Sequence, residues 1–205
     1  AQAAGLLAHT NTSSAAIQFS AGISDALSAY ATSGSTTSEL NSIVAEDVDL
    51  VATVTGTLGS SSQDITDLNA LATKFDGSGL SAKVVATISA TKDKLYNSGS
   101  ALLTTSTNDA IGITVTDALS PIEWAAIKAK TGADSTTVTA NGGFSAELSE
   151  YAGLGGTTTN WNNAVAANAA KAVTVTDTLS TANHISALNF LLGDSDHTGA
   201  GSTVT

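Results

Sequence analysis

Carboxylates are the side chains of this sequence best suited to chemistry, and two of them occupy equivalent places. Asp117 ends the segment ITVTD that starts at Ile113, and Asp177 ends the near copy VTVTD about 60 residues later. Carboxylates at the carboxyl edge of a parallel sheet could bind a ligand. Asp also caps turns and helix starts by accepting local backbone N–H groups. Because Gly56 stands at the corresponding place of a weaker third copy, the row is broken and we favour the capping interpretation.

A second acidic group lies near the end of the sequence and resembles the start of a calcium loop. Asp194 and Asp196 have Asp-x-Asp spacing, and Gly199 stands at position six. The Glu that such a loop requires at position twelve is missing, since Thr205 occupies that place. We therefore predict a surface turn, with Asp194 and Asp196 as weak metal-ligand candidates. We expect no cofactor, and calcium is the one candidate that these residues leave open.

The remaining reactive residue types predict no catalytic site. The three histidines, His9, His184 and His197, do not have metal-ligand spacing. The chain has no Cys, which excludes thiolate chemistry and disulfides. Its net charge is -11, and its seven basic residues are all Lys, so a nucleic-acid partner is not expected. We interpret the protein as non-enzymatic, with a hydrolase as a remote alternative.

Threonine pairs with one residue between them are the most unusual pattern. They occur at 53 and 55, 114 and 116, 137 and 139, 174 and 176, and 203 and 205. Stacked on neighbouring strands, they would form rows of hydroxyl and methyl groups, as in ice-binding solenoids. The simpler interpretation is the exposed half of an amphipathic strand, because Thr is a good β-former.

Repeated strand and helix signals must position these residues. ITVTDALS at 113–120 recurs as VTVTDTLS at 173–180, and each copy precedes a helix signal. Ser120, Pro121 and Glu123 predict a capped helix start. We expect strands at 112–117 and 172–177 in one sheet, with helices over about 121–131 and 181–192 on the same face. Further helices are predicted over 14–31, 37–46, 90–103 and 144–170, the last interrupted at 153–156.

Strict alternation of apolar and Thr residues in these strands indicates a sheet with one buried face. The predicted fold is α/β, with β-α-β-α units of about 60 residues stacked into a one-faced parallel sheet, helices on one side, in a solenoid-like array. Residues 1–47 are predicted to form an N-terminal helical cap and assembly segment. Residues 48–205 form the array, with repeats near 48–108, 109–169 and 170–205.

The phrases ITVTDALS…AAIKAKTGADSTTVTA and VTVTDTLSTANHISALNFL resemble repeats of large secreted cyanobacterial and marine bacterial proteins. These are hemolysin-like, RTX-type surface proteins and adhesins, and some phage appendages carry similar repeats. The resemblance covers roughly residues 50–205 and implies an exported structural or adhesive role. The Gly-Gly-x-Gly-x-Asp calcium signature of RTX repeats is absent, so calcium-driven folding is not implied.

Self-association is the partner interaction that we expect. Thr203, Val204 and Thr205 would form an unprotected edge strand, which templates pairing with another chain. Leu6 and Leu7 are the large side chains of the N-terminal segment, and Trp161 could be either an interface anchor or a core residue. No apolar run is long enough to span a membrane. We therefore expect a secreted or cell-surface protein of a layer, filament or appendage, with a virion protein as the alternative.

Overall fold

A computed structural model describes residues 18–76, 82–97, 99–103, 108–131, 138–168, 171–194 and 203–205. The strands of this part of the chain are β1 (Ile23–Ala26), β2 (Ala31–Thr32), β3 (Ser35–Thr36), β4 (Val51–Leu58), β5 (Lys83–Ala90), β6 (Tyr96–Asn97), β7 (Ser100–Ala101), β8 (Ala110–Val115), β9 (Val138–Ala140), β10 (Phe144–Ala146), β11 (Ala152–Gly153), β12 (Gly156–Thr157), β13 (Ala172–Val175) and β14 (Thr203–Val204). The helices are α1 (Leu27–Tyr30), α2 (Ser38–Glu46), α3 (Ser62–Asp76), α4 (Lys92–Leu95), α5 (Pro121–Lys128), α6 (Leu148–Tyr151), α7 (Thr159–Ala167) and α8 (Ala182–Leu192).

The longer strands form parallel sheets, which confirms the predicted α/β class. One sheet has five strands in the order β1-β4-β5-β8-β9, and another has three in the order β10-β13-β14. In each sheet the strand order follows the chain order, since parallel neighbours are joined by crossover connections. Three small antiparallel hairpins, β2–β3, β6–β7 and β11–β12, each follow one of the four-residue helices.

Burial alternates along the strands, as the apolar/Thr pattern predicts. In β8, Ile111, Ile113 and Val115 are buried, whereas Gly112 and Thr114 between them are partly exposed. The same alternation runs along β5, where Val84 and Ile88 are buried. Each of these strands therefore has one face in the core.

The prediction that β8 and β13 share one sheet is wrong. β8 belongs to the five-stranded sheet and β13 to the three-stranded one, because the strand between them is interrupted after Ala140. Gly143 there has a φ of +78°, and a Cβ on Gly142 would collide with the backbone of Asp117. Beyond the interruption, Leu119 forms an isolated parallel bridge with Phe144.

Three predicted helices are broken by the same local motif. Residues 23–26 of the predicted helix 14–31 form β1, and residues 14–17 lie outside the described residues. The predicted helices at 90–103 and 144–170 are also replaced by a four-residue helix and a hairpin, followed in the second case by α7. The helix ends early because the next residue is extended, as at Ala31, where φ is -145° and ψ is 149°. The predicted helix at 37–46 is present as α2, with Thr37 as its N-cap.

Two compact units interleave along the chain. One consists of Ala1–Ser89, Leu103–Gly112 and Lys130–Thr136, and the other of Ala90–Leu102, Ile113–Ala129 and Thr137–Thr205. In the first, β1 from the predicted N-terminal cap pairs with β4 from the predicted array. The boundary near residue 47 stays a prediction.

Candidate functional site

Two tyrosines make the same contact at positions 121 residues apart. Tyr30 donates its hydroxyl hydrogen bond to the carbonyl oxygen of Thr53 at 3.2 Å, and Tyr151 donates to that of Thr174 at 3.1 Å. Each tyrosine is the last residue of a four-residue helix. Its bond reaches the strand that follows the next helix, β4 after α2 or β13 after α7. We call residues 19–58 the first tyrosine module and residues 140–179 the second.

Further bonds repeat at the same offset. Thr37 donates to the carbonyl oxygen of Ala29 and accepts from the amide of Leu40, so it closes the hairpin and caps α2. Thr158 makes the matching bonds with Glu150 and Trp161. The repeated feature is therefore a whole strand–helix–hairpin–helix–strand module that recurs after 121 residues, about twice the 60-residue spacing of the repeat predicted from the sequence.

Burial explains the electrostatics of both tyrosines. Desolvation, with a smaller contribution from the negative charge of Asp25, raises the pKa of Tyr30 to about 12. The pKa of Tyr151 is raised further, first by burial and then by the charge of Glu150. Both phenols are thus protonated at neutral pH and act as structural hydrogen-bond donors.

Asp and Asn side chains accept hydrogen bonds from backbone amides that are distant in sequence, a role that the sequence did not predict. Asp47 accepts the amide hydrogen of Phe19 at 2.6 Å, and Asn168 accepts that of Ala140 at 2.7 Å. Asp109 accepts from Val84 at 2.8 Å in the same way. The spacing of 121 residues between Asp47 and Asn168 is visible in the sequence, but only when complete modules are aligned.

Asp117 and Asp177, the sequence-predicted carboxylate row, are caps. Asp117 accepts the amide hydrogen of Lys92 at 2.7 Å, and Asp177 accepts that of Leu148 at 3.0 Å. These amides open the short helices α4 and α6, so each carboxylate caps a helix far from it in sequence. Gly56 takes the corresponding place in the first module, at a φ of +83° within an irregular part of β4.

Trp161 lies in the core, one of its two predicted roles, and is fully buried. Its ring meets Phe144 and Tyr151 edge to face, at centroid distances of 5.4 and 5.2 Å. Its indole N–H donates to the carboxylate of Asp194 at 2.8 Å. This position corrects the assignment of Trp161 as an interface anchor and shows that Asp194 holds a core residue in place.

The metal candidates find no support in the geometry. Asp196 and Gly199 lie outside the described residues, and Asp194 serves Trp161. Within the described ranges, no three His, Asp or Glu side chains gather closely enough to hold a metal ion. A calcium site that includes Asp196 stays a prediction.

Thr53, Thr114, Thr139 and Thr174, which the structure describes, lie on the more exposed face of their strands. Thr114 and Thr139 are paired neighbours on β8 and β9, and the hydroxyls of Thr174 and Thr205 lie 3.3 Å apart. On β5, however, Val85 pairs with Thr53 and interrupts the row. Binding of ice or another regular surface by these rows stays a prediction.

The predicted interface residues lie partly within the described chain. Leu6 and Leu7 are outside it. The backbone of Thr203 and Val204 forms β14, and Thr205 extends the pairing with Val173 and Val175 through two backbone bonds of 2.9 Å. The predicted C-terminal strand is therefore present as an edge strand.

Beside this strand lies an apolar groove of about 330 Å³. Its lining comes from the C-terminal strands and α8: Val175, Asp177, Leu179, Leu188, Leu192, Val204 and Thr205. Two of the large apolar side chains that line it are exposed, Leu179 at 39% and Leu192 at 53%. An exposed apolar patch of this kind is typical of an interaction surface.

The comparisons with known proteins add no relative. No protein-family model matches the sequence, and neither the curated proteins nor the solved structures yield a match. In the part of the chain that the structure describes, no helix combines the length and apolar character needed to cross a membrane.

Proposed function

We propose that this chain is a non-enzymatic, exported structural repeat protein that self-associates into a cell-surface layer, filament or appendage. The observation that carries the proposal is the recurrence, 121 residues apart, of a complete module with the same hydrogen bonds. Modules that repeat their internal contacts can stack in an open-ended, solenoid-like array, which suits an extended scaffold.

The ends of the sheets favour assembly. β1 and β14 each stand at one end of a sheet order, with one strand partner among the described residues. An edge strand templates pairing unless charge, Pro or a covering element protects it. Thr203–Val204 carries no charge and lies beside the apolar groove, so its chemistry favours a further strand there.

The polar groups of the described chain also favour a structural role. The side chains of Asp117, Asp177 and Asn168 accept hydrogen bonds from backbone amides. The two strongly shifted phenols are buried donors. A virion location is compatible with the same architecture, and it is the alternative to the cell surface.

Mass photometry and sedimentation velocity of the intact chain test the proposal. We expect oligomers whose size increases with protein concentration. A version lacking residues 199–205 tests the C-terminal strand, and a version lacking residues 1–12 tests Leu6 and Leu7. An intact chain that stays monomeric at micromolar concentration in physiological salt would contradict self-association.

A further inference from the structure

Three long helices of the chain begin with equivalent caps, which allows them to be aligned from structure. Ser61 accepts the amide hydrogen of Asp64 at the start of α3, Ser120 that of Glu123 in α5, and Thr181 that of His184 in α8. Each of these bonds measures 3.2 Å and spans three residues. Positions that lie equally far from the three caps are therefore equivalent.

The alignment identifies one apolar row that is covered in two helices and uncovered in the third. The row lies four, seven and eleven residues after the cap. The members in α3 and α5 are at most 4% exposed: Ile65, Leu68, Ala72, Trp124 and Ile127. The position eleven residues after Ser120 is Thr131, which lies just beyond the end of α5 and is also buried. In α8, Ile185 is 60% exposed, Leu192 is 53% exposed and Leu188 is half-buried.

The elements that follow α5 show what covers such a row. The indole N–H of Trp124 donates to the carbonyl oxygen of Val138 at 2.9 Å, so the row of α5 lies against the next strand, β9. Helix α5 also packs against α6 and α7 of the second tyrosine module. Helix α8 also packs against elements that precede it in the chain, namely α6, β11 and β12.

The chain itself contains a second copy of the element that covers α5. Helices α6 and α7, which pack against α5, belong to the segment β10-α6-β11-β12-α7. The segment β1-α1-β2-β3-α2 of the first tyrosine module repeats the helices and the hairpin of that segment at an offset of 121. In this match Ile23 of β1 takes the place of Phe144 of β10. Phe144 is buried, whereas Ile23 is only partly buried and the other three residues of β1 are exposed.

We propose that the apolar face of α8 and β14 binds the first tyrosine module of a second copy of this chain, so that copies join head to tail. This inference rests on the proposed self-association and specifies its two surfaces. The interface continues the packing already present between α5 and the second tyrosine module. Because the two surfaces differ, the contact is heterologous and extends into a filament unless the rotation closes a ring.

Charged substitutions on each surface test the proposal. One variant carries Ile185→Asp and Leu192→Asp, and another carries Ile23→Asp in β1. Ala26→Glu, at an exposed residue of β1, is a further variant in case Ile23→Asp lowers stability. Leu154→Asp is the matched control, since Leu154 is 63% exposed and lies outside the groove. Circular dichroism and thermal unfolding establish that each variant is folded.

We expect each face variant to weaken association about tenfold or more, because charge replaces apolar surface that the contact buries. The control should associate like the unchanged chain. A mixture of the α8 variant and a β1 variant should form a dimer with one copy of each, since each retains one intact surface. A size tag on one variant makes this dimer visible by mass photometry.

Two results would overturn the inference, and they differ in what they say about the proposed function. If the unchanged chain is monomeric, both the head-to-tail contact and self-association fail. If it assembles but the face variants assemble equally well, the head-to-tail contact fails while self-association stands on another surface, such as the segment with Leu6 and Leu7.

Discussion

At the scale of single residues, the polar side chains of this protein act mainly on the backbone. A buried N–H or C=O group without a partner costs free energy, and strands that change partners leave such groups at their ends. Asp47, Asp109 and Asn168 accept backbone amides of this kind, from Phe19 before β1, from Val84 in β5 and from Ala140 in β9. Acidic side chains therefore stabilise the fold through hydrogen bonds as well as contributing surface charge.

Asn168 gives the sharpest test of this role. Its side-chain N–H groups donate to the carbonyl oxygens of Val138 and Ala164, both at 3.1 Å, while its oxygen accepts from Ala140. Asn168→Ala should lower the free energy of unfolding by about 2 kcal/mol or more, because buried backbone groups lose their partners. Urea unfolding measures the change.

Asn168→Asp is the matched control, since Asp stands at the equivalent Asp47. The acceptor to Ala140 remains, but two carbonyl oxygens would face a carboxylate, so stability should fall and recover in part as the pH is lowered. If Asn168→Asp is equally stable at pH 5 and at pH 8, about three pH units apart, the donor role assigned to Asn168 is contradicted.

The raised pKa of Tyr30 predicts how the stability of the protein changes at alkaline pH. Its folded pKa of about 12 lies above the ordinary value of 10.0, so the folded state holds the phenol proton more tightly. This contribution is fully present below pH 10 and is lost as the pH rises from 10 towards 12. The free energy of unfolding should therefore fall over that range.

Tyr30→Phe separates this effect from other alkaline changes. The variant should show a weaker decline of stability between pH 10 and 12, and should lose about 1 kcal/mol at neutral pH with the bond to Thr53. Unfolding curves at several pH values measure both quantities. An unchanged alkaline decline would show that Tyr30 does not carry the linkage.

At the scale of elements, the sequence predicted what local chemistry determines. Ser120, Pro121 and Glu123 form the predicted capping box at the start of α5. The alternation of β8 predicted its buried face, because period-two burial follows directly from strand geometry. The sequence also predicted that Asp117 and Asp177 cap backbone amides, but it placed these amides locally, whereas they lie on distant helices.

The elements that were missed depend on contacts far apart in sequence. The four-residue helices α1, α4 and α6 leave no periodic pattern, because they make barely one turn before the chain extends into a hairpin. Phe19, Ile23, Leu27 and Tyr30 are spaced like the apolar stripe of one helix, yet Ile23 lies in β1 and Tyr30 is bonded to β4. The sheet interruption at Gly142 was equally hidden, since it follows from crowding against the backbone of Asp117.

Asp177 predicts how much a distant cap contributes to a short helix. Asp177→Ala should lower the free energy of unfolding by about 1 kcal/mol, as the loss of a helix cap does. Asp177→Asn keeps an acceptor oxygen for the amide of Leu148 and should lose less. Thermal unfolding of both variants measures the difference, and equal losses would show that charge, not the hydrogen bond, is responsible.

At the scale of the whole molecule, the net charge opposes the association that the apolar surfaces favour. Each copy carries a charge of -11, and the first tyrosine module is itself acidic, with exposed Asp25, Glu39 and Glu46. The α8 face contributes mostly apolar side chains to the proposed contact. Two like-charged copies must therefore approach each other before apolar burial can stabilise the pair.

Salt should consequently promote assembly. Raising the ionic strength from about 0.02 M to about 0.3 M shortens the distance over which charges act from roughly 20 Å to roughly 6 Å, so repulsion between copies is screened while apolar burial is retained. We expect the dissociation constant from sedimentation velocity to fall as salt rises. Ile185→Asp with Leu192→Asp should stay dissociated across the same range, because screening cannot replace the lost apolar surface. Assembly that instead weakens with salt would indicate a contact held by opposite charges and would contradict an interface built on the row of α8.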